Sequence, residues 1–194
     1  MKRVAIYGGS FNPIHMGHLA LARYVVAKHL ADEVWMMVSP QNPLKKVEGL
    51  LPEADRLRLA QLATANESQI RVSDFECHLP RPSYTYLTLR ALHEAHPDIV
   101  FSLLIGADNW TRFDRWVKPE EILAHHRILV YPRPEYPIDA ATLPDGVSLL
   151  DAPLFPYSST DIRQRLVSGE NVSEMLTPAV LSAIKAEGLY SCKH

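Results

Sequence analysis

The stretch from Gly8 to His18, Gly-Gly-Ser-Phe-Asn-Pro-Ile-His-Met-Gly-His, holds the residues best suited to chemistry in this 194-residue chain. It follows a short apolar run, Val4 to Tyr7, and leads into an apolar segment, Leu19 to Leu30. That order predicts a strand, a glycine-rich turn and a helix. Such a turn presents backbone N–H groups at a helix N-terminus, where the dipole favours an anion. His15 and His18 stand three apart and so share one helix face. Backbone donors, two imidazoles and little steric bulk together suit a polyphosphate. The pattern is not a Walker A loop, since no Gly-Lys-Ser/Thr follows, nor the Gly-x-Gly-x-x-Gly dinucleotide fingerprint. Paired glycines after a strand are often only a tight turn. The joint occurrence of Gly9, Phe11, Pro13, His15, Gly17 and His18 after a first strand points to a site.

Tyr157 to Arg163, Tyr-Ser-Ser-Thr-Asp-Ile-Arg, is a second constellation. Three hydroxyls at a helix start offer caps and anion donors together, and Arg163 lies one turn in with a bidentate fork. Alone it reads as an ordinary cap with a solvated arginine; beside the first motif it reads as a phosphate site. Ser83 to Leu89 is a hydroxyl-rich helix start after Pro82, whose unpaired N–H groups favour a carboxylate over a neutral amide. Gly106-Ala107-Asp108 closes a predicted strand, where Asp108 suits ribose hydroxyls or a helix cap. Lys45 and Lys46 follow the second predicted strand on a loop that can neutralise phosphate. Trp110, Phe113 and Trp116 form an aromatic cluster. His93-Glu94-Ala95-His96 is one residue short of the His-Glu-x-x-His zinc motif, and His125-His126 read as surface.

The elements that must position these residues alternate. Predicted strands are Val4–Tyr7, Glu33–Val38, Ile70–Ser73, Ile99–Leu104, Arg127–Tyr131 and Val147–Leu150, short and rich in Val, Ile and Leu, as strands buried on both faces are. Helical patterns fall at Gly17–His29, Glu53–Ala65 and Thr85–Ala95, with a broken stretch from Asn109 to Ala124. This alternation predicts an α/β fold with a doubly wound parallel sheet, whose ligands bind outside the carboxyl ends of strands. Thr160–Ser168 and Pro178–Glu187 read as C-terminal helices with no strand between them, and Pro132 to Pro144 as a long surface connection.

Length suits one domain over residues 1–194. Hydrophobic content of 47% and charged content of 22% are those of an ordinary globular protein, and 20 basic against 22 acidic residues argue against a nucleic-acid partner. No apolar run reaches membrane-spanning length, and the N-terminus is not a signal peptide. Cys77 and Cys192 lie far apart, which suits reduced thiols in the cytoplasm rather than a zinc or redox site.

The Gly8–His18 stretch resembles the Gly-x-Phe-x-Pro-x-His-x-Gly-His signature of the nucleotidyltransferase superfamily. Tyr157–Arg163 is similar to that superfamily's Ile-Ser-Ser-Thr-x-Ile-Arg segment and departs only at Tyr157. The weaker segments are similar to one branch, the nicotinate-mononucleotide adenylyltransferases. Pro40 to Lys46 looks like the branch's Asn-Pro-Pro-His-Lys loop, with Leu44 and Lys45 in place of Pro and His. Ser83–Leu89 matches Ser-Tyr-Thr-x-x-Thr-Leu, and Gly188-Leu189-Tyr190 looks like the C-terminus. The resemblance implies a Rossmann-like fold and adenylyl transfer from ATP to nicotinate mononucleotide in NAD biosynthesis. It implies catalytic roles for His15, His18 and Arg163. It places ATP on Gly8, Gly9, Ser10, Phe11, Gly106, Asp108, Ser159 and Thr160 as well. It places nicotinate mononucleotide on Lys46, Thr85, Tyr86, Trp116 and Val117, with the pyridine ring stacked on Trp116. Mg²⁺ is expected on ATP rather than in a protein cage. A homo-oligomer is left open. The rival readings are an enzyme of the same superfamily using nicotinamide mononucleotide or phosphopantetheine, a cytidylyltransferase, and a nucleotide-sensing module without turnover.

Overall fold

The computed structural model describes residues 1–40 and 49–190. Its strands are β1 (Lys2–Gly9), β2 (Glu33–Val38), β3 (Ile70–Ser73), β4 (Ile99–Gly106), β5 (Arg127–Tyr131) and β6 (Val147–Leu149). They form one sheet in the order β3-β2-β1-β4-β5-β6, and every neighbouring pair is parallel. The order reverses between β1 and β4. The connections leaving these two strands diverge to opposite faces and open a crevice at the carboxyl edge. The helices are α1 (Met16–Ala27), α2 (Glu53–Thr64), α3 (Thr85–Ala95), the single turn α4 (Ala107–Trp110), α5 (Pro119–His125), α6 (Ser159–Val167) and α7 (Pro178–Glu187).

Strand residues alternate between two apolar layers, because successive side chains leave a strand on opposite faces. Ala5, Val34, Met36, Val38 and Leu104 pack beneath α1, α2, α6 and α7. Val4, Ile6, Met37, Leu103 and Ile105 pack beneath α3 and α5. Apolar residues on both faces are what a parallel sheet covered by helices requires. Ile162, Val180 and Ile184 join the first layer, so the two C-terminal helices pack on the sheet. Thr177 caps α7 by accepting from the Val180 N–H, and Gly188 ends the helix at φ 62°.

Most elements agree with the sequence reading to within one or two residues, and three differences bear on the site. The glycine pair is not the turn: Gly8 and Gly9 are the last residues of β1, in register with Met37 and Val38. The bend falls on Phe11, at φ 45°, and α1 begins at Met16. Likewise β4 runs on to Gly106, which is the N-cap of α4, a place the sequence offered to Asp108. The broken stretch resolves into α4, a 3-10 turn over Phe113–Arg115, and α5. Among the described residues no helix is long and apolar enough to cross a membrane. Cys77 is a free thiol pushed up to about 11 by burial and then by the charge of Glu53, which leaves little of it as thiolate at neutral pH. Cys192 lies outside the described residues.

Candidate active site

A cleft of about 440 Å³ opens where β1 and β4 part, between the β1–α1 connection, the end of β4, the segment after β5 and the start of α6. The β1–α1 connection is held by buried polar contacts rather than by its own turn. Asn12 is only 4% exposed. Its Nδ2 donates to Gly49 O at 2.8 Å, and its Oδ1 accepts from Leu51 N at 3.2 Å and from the Tyr190 hydroxyl at 2.7 Å. Its backbone carbonyl accepts from Arg163 Nη1 at 2.7 Å. The next carbonyl, of Pro13, accepts from Ser159 Oγ at 3.0 Å. Beneath the connection lies Arg56 of α2, whose side chain is wholly buried. Its guanidinium donates to the carbonyls of Ser10, Ser39, Leu51 and Pro40 at 2.7, 2.8, 3.0 and 3.1 Å.

His15 and His18 line the cleft as a stacked pair, ring centroids 3.6 Å apart. The His15 N–H donates to His18 Nδ1 at 3.2 Å. A neutral His18 ring therefore carries its proton on Nε2. Burial, and secondarily the charge of Arg133, pushes the His15 imidazole down to about 3, so it is neutral at physiological pH. Its Nδ1 is buried with no hydrogen bond to the described residues. Gly17 leaves room for this ring: a Cβ there would stand 3.1 Å from His15 Nδ1 and 3.2 Å from Phe155 Cβ. Phe11 borders the cleft, but its ring is core, 2% exposed and edge-on to His18 at 5.0 Å.

On the facing wall Gly106 and Asp108 follow β4, and Arg133 follows β5. Arg133 Nε and Asp108 Oδ1 form an ion pair at 2.9 Å without the alignment of a hydrogen bond. At the third corner Ser158 caps α6 by accepting from Asp161 N at 3.1 Å. Thr160 Oγ1 accepts from Arg163 Nη2 at 3.3 Å. The fork of Arg163 thus ties the α6 start to the β1–α1 connection, and Ser159, Thr160 and Arg163 all border the cleft. The Pro132–Pro144 segment, read from sequence as a surface connection, contributes Arg133, Glu135 and Tyr136 to this wall. Its place directly after a parallel strand was the signal, masked by the prolines.

A second cavity, of about 370 Å³, shares Gly8, Gly9, Ser10, Ile105 and Asn109 with the first. Thr85, Trp116 and Val117 line it. Leu87 and Thr88 return their N–H groups to Tyr84 O, so the N–H groups of Thr85 and Tyr86 have no acceptor within the helix. Tyr86 does not line this cavity: its ring lies 4.7 Å beneath Lys118 Nζ and borders a separate pocket with Arg90 and His93. Trp116 packs on Phe113 at 5.1 Å, and Phe113 on Trp110 at 5.2 Å. Lys118 adopts φ 54° directly after Val117 and is the N-cap of α5. Two ionisable residues in this cavity escaped the sequence reading. Glu76 is 7% exposed and accepts from Thr88 Oγ1 at 2.9 Å; burial raises its pKa, opposed by hydrogen bonds from Ser39 and Thr88. Arg115 ends the 3-10 turn beside Trp116. Lys46, expected at the acceptor phosphate, lies outside the described residues, as does Lys45.

The sequence matches the cytidylyltransferase-like family over residues 6–165. A Bacteroides thetaiotaomicron protein named "Probable nicotinate-nucleotide adenylyltransferase" is 51% identical over 183 residues, 94% of this chain and 91% of its own length. A Flavobacterium johnsoniae protein of the same name is 40% identical, with 97% of this chain and 98% of that protein covered. The fold superposes on Plasmodium falciparum nicotinic acid mononucleotide adenylyltransferase, solved in complex with NaAD. The TM-score is 0.84, with 22% identity and 98% of each chain covered. The chain therefore belongs to the cytidylyltransferase-like family and, within it, to the nicotinate-nucleotide adenylyltransferases.

Proposed function

We propose that the chain transfers the adenylyl group of ATP to the phosphate of nicotinate mononucleotide, giving nicotinate adenine dinucleotide and pyrophosphate, with the roles below. The observation that carries this reading is the wall common to the two cavities. Gly8, Gly9 and Ser10 border both, so a nucleotide in each would bring two phosphates together at one backbone segment. ATP occupies the cleft with the histidines and the α6 start. The acceptor occupies the cavity with Trp116 and the α3 start.

An oxygen of the acceptor phosphate attacks the α-phosphorus of ATP. The new P–O bond forms as the bond from that phosphorus to the bridging oxygen breaks, and pyrophosphate leaves opposite the nucleophile. The acceptor phosphate is an anion at neutral pH, so no side chain has to remove a proton. Catalysis is positioning and charge stabilisation. His18 donates through Nε2 to the α-phosphate as charge builds. His15, neutral and buried, acts beside it as a fixed dipole. Ser159, Thr160 and Arg163 hold the outer phosphates, and Asp108 accepts from the ribose. Mg²⁺ arrives as part of the substrate, on the triphosphate and largely water-ligated. Among the described residues no group of three or more His, Cys, Asp or Glu side chains is arranged to hold a metal ion.

The test is pyrophosphate release with ATP and Mg²⁺, comparing nicotinate mononucleotide, nicotinamide mononucleotide and phosphopantetheine as acceptors, and CTP in place of ATP. Turnover is expected with ATP and nicotinate mononucleotide above all other combinations. Nucleotide binding without turnover on any acceptor would refute the reading.

A further inference from the structure

The acceptor cavity has an uneven charge. Among the described residues that line it, Glu76 is the one acidic side chain and Arg115 the one cationic side chain. Glu76 is buried, and its carboxyl is satisfied by hydroxyl groups alone, with no cation against it. In its ionised form this carboxyl, with no counter-charge, repels any anion placed near it. Arg115 lies at the exposed rim, and its guanidinium makes no ion pair or hydrogen bond with the described residues. It is not free to wander in the chain direction. A ring series, with Trp110 stacked on Phe113 and Phe113 tilted against Trp116, flanks the turn on which it sits, and Trp116 is its immediate neighbour.

We propose that Arg115 is a specificity-determining residue that selects acceptors carrying a carboxylate on the ring, drawing that group to the Trp116 rim and away from Glu76. The proposal rests on the functional reading above and deepens it. The reacting phosphate has to lie at Gly8–Ser10, the wall shared with the ATP cleft, for transfer to occur. The ring substituent then stands at the opposite end of the acceptor. The cation at the rim attracts that substituent when it is an acid and gains little from an amide. Charge at a solvent-exposed rim is partly screened, so its effect is a bias rather than an absolute filter.

The experiment compares kcat/KM for nicotinate mononucleotide and nicotinamide mononucleotide in the wild type, Arg115→Gln and Arg115→Lys. The Gln variant is expected to lose about five- to tenfold of the acid-over-amide ratio, chiefly through KM for the acid, in keeping with a screened charge contact. Lys is expected to restore most of it. Raising salt from about 50 mM to about 500 mM should erode the ratio in the wild type and leave it flat in the Gln variant. An unchanged ratio in Arg115→Gln overturns the proposal. So does an equal loss on both acceptors, which would assign Arg115 to the phosphate they share. A wild type without turnover on nicotinate mononucleotide would instead refute the functional reading, before any variant is made.

Discussion

Arg56 offers the sharpest test of what holds the catalytic connection in place. Arg56→Met keeps the apolar stem and removes the guanidinium. Four backbone carbonyls, of Ser10, Ser39, Pro40 and Leu51, then lose their donor in a region closed to solvent. Hydrogen bonds to a charged group contribute roughly 1.5–3 kcal/mol each, so the four together represent about 6–12 kcal/mol. Against this stands the cost of burying a cation, eased in part by the charge of Glu53 but still several kcal/mol, which the methionine avoids. The balance is a net destabilisation of about 3–5 kcal/mol. Urea unfolding followed by circular dichroism, extrapolated linearly to water, measures it directly. Ser10 borders both cavities, so kcat/KM should fall with stability and remain low in the folded variant. Arg56→Lys should recover less than half of the loss, because a single ammonium cannot reach four acceptors arranged around a planar fork. A loss below about 1 kcal/mol in Arg56→Met would refute the reasoning, since the carbonyls would then be finding other partners at no cost.

Two further perturbations address the histidine pair and the facing wall. The folded pKa of His15 lies near 3 against an ordinary value of about 6.5, so below pH 6.5 the unfolded chain binds a proton the folded one refuses. Stability is intact above that pH and declines as pH falls; between pH 6.5 and 5 the wild type should lose about 1.5 kcal/mol more than His15→Gln, read from unfolding curves, and parallel pH dependences would contradict it. Gly106→Ala keeps an allowed backbone, φ −78° and ψ 157°, but its Cβ would collide with Asp108 Oδ1 and stand 3.0 Å from Arg133 Nε. Because Asp108 can swing aside, unfolding should change by less than about 1 kcal/mol while KM for ATP rises about tenfold, and an unaltered KM would remove Asp108 and Arg133 from nucleotide binding.

How much the chain reveals before folding depends on whether a residue's role is local. The strands were legible because both faces are apolar, leaving apolar runs such as Val34 to Val38 and Leu103 to Ile105. The Gly8–His18 and Ser158–Arg163 segments were legible because phosphate chemistry compresses its donors into a few consecutive positions. Gly8 and Gly9 were misplaced in a turn because glycine's freedom suggests one, whereas neighbouring strands hold both in register with β2. Arg56 was invisible: its helix reads Glu-Ala-Asp-Arg-Leu-Arg-Leu-Ala, in which it looks as solvated as Arg58. Only the approach of three separate backbone segments makes it internal. Glu76, Arg115 and Arg133 escaped for the same reason, since each enters a cavity whose walls are far apart in sequence.

The hold of Tyr190 and Arg163 on Asn12 joins residues 178 and 151 positions apart. Contacts of such separation close the longest loops in the fold, and a growing chain can make them only once Arg163 and Tyr190 have been synthesised. The first strand and its phosphate-binding residues leave the ribosome early, yet their final geometry waits for the last helix. The geometry of the β1–α1 connection is thereby tied to the arrival of Arg163 and Tyr190. A nascent chain that has not reached Tyr190 has the signature residues but not the grip, and any ligand that binds the folded site alone stabilises the folded form.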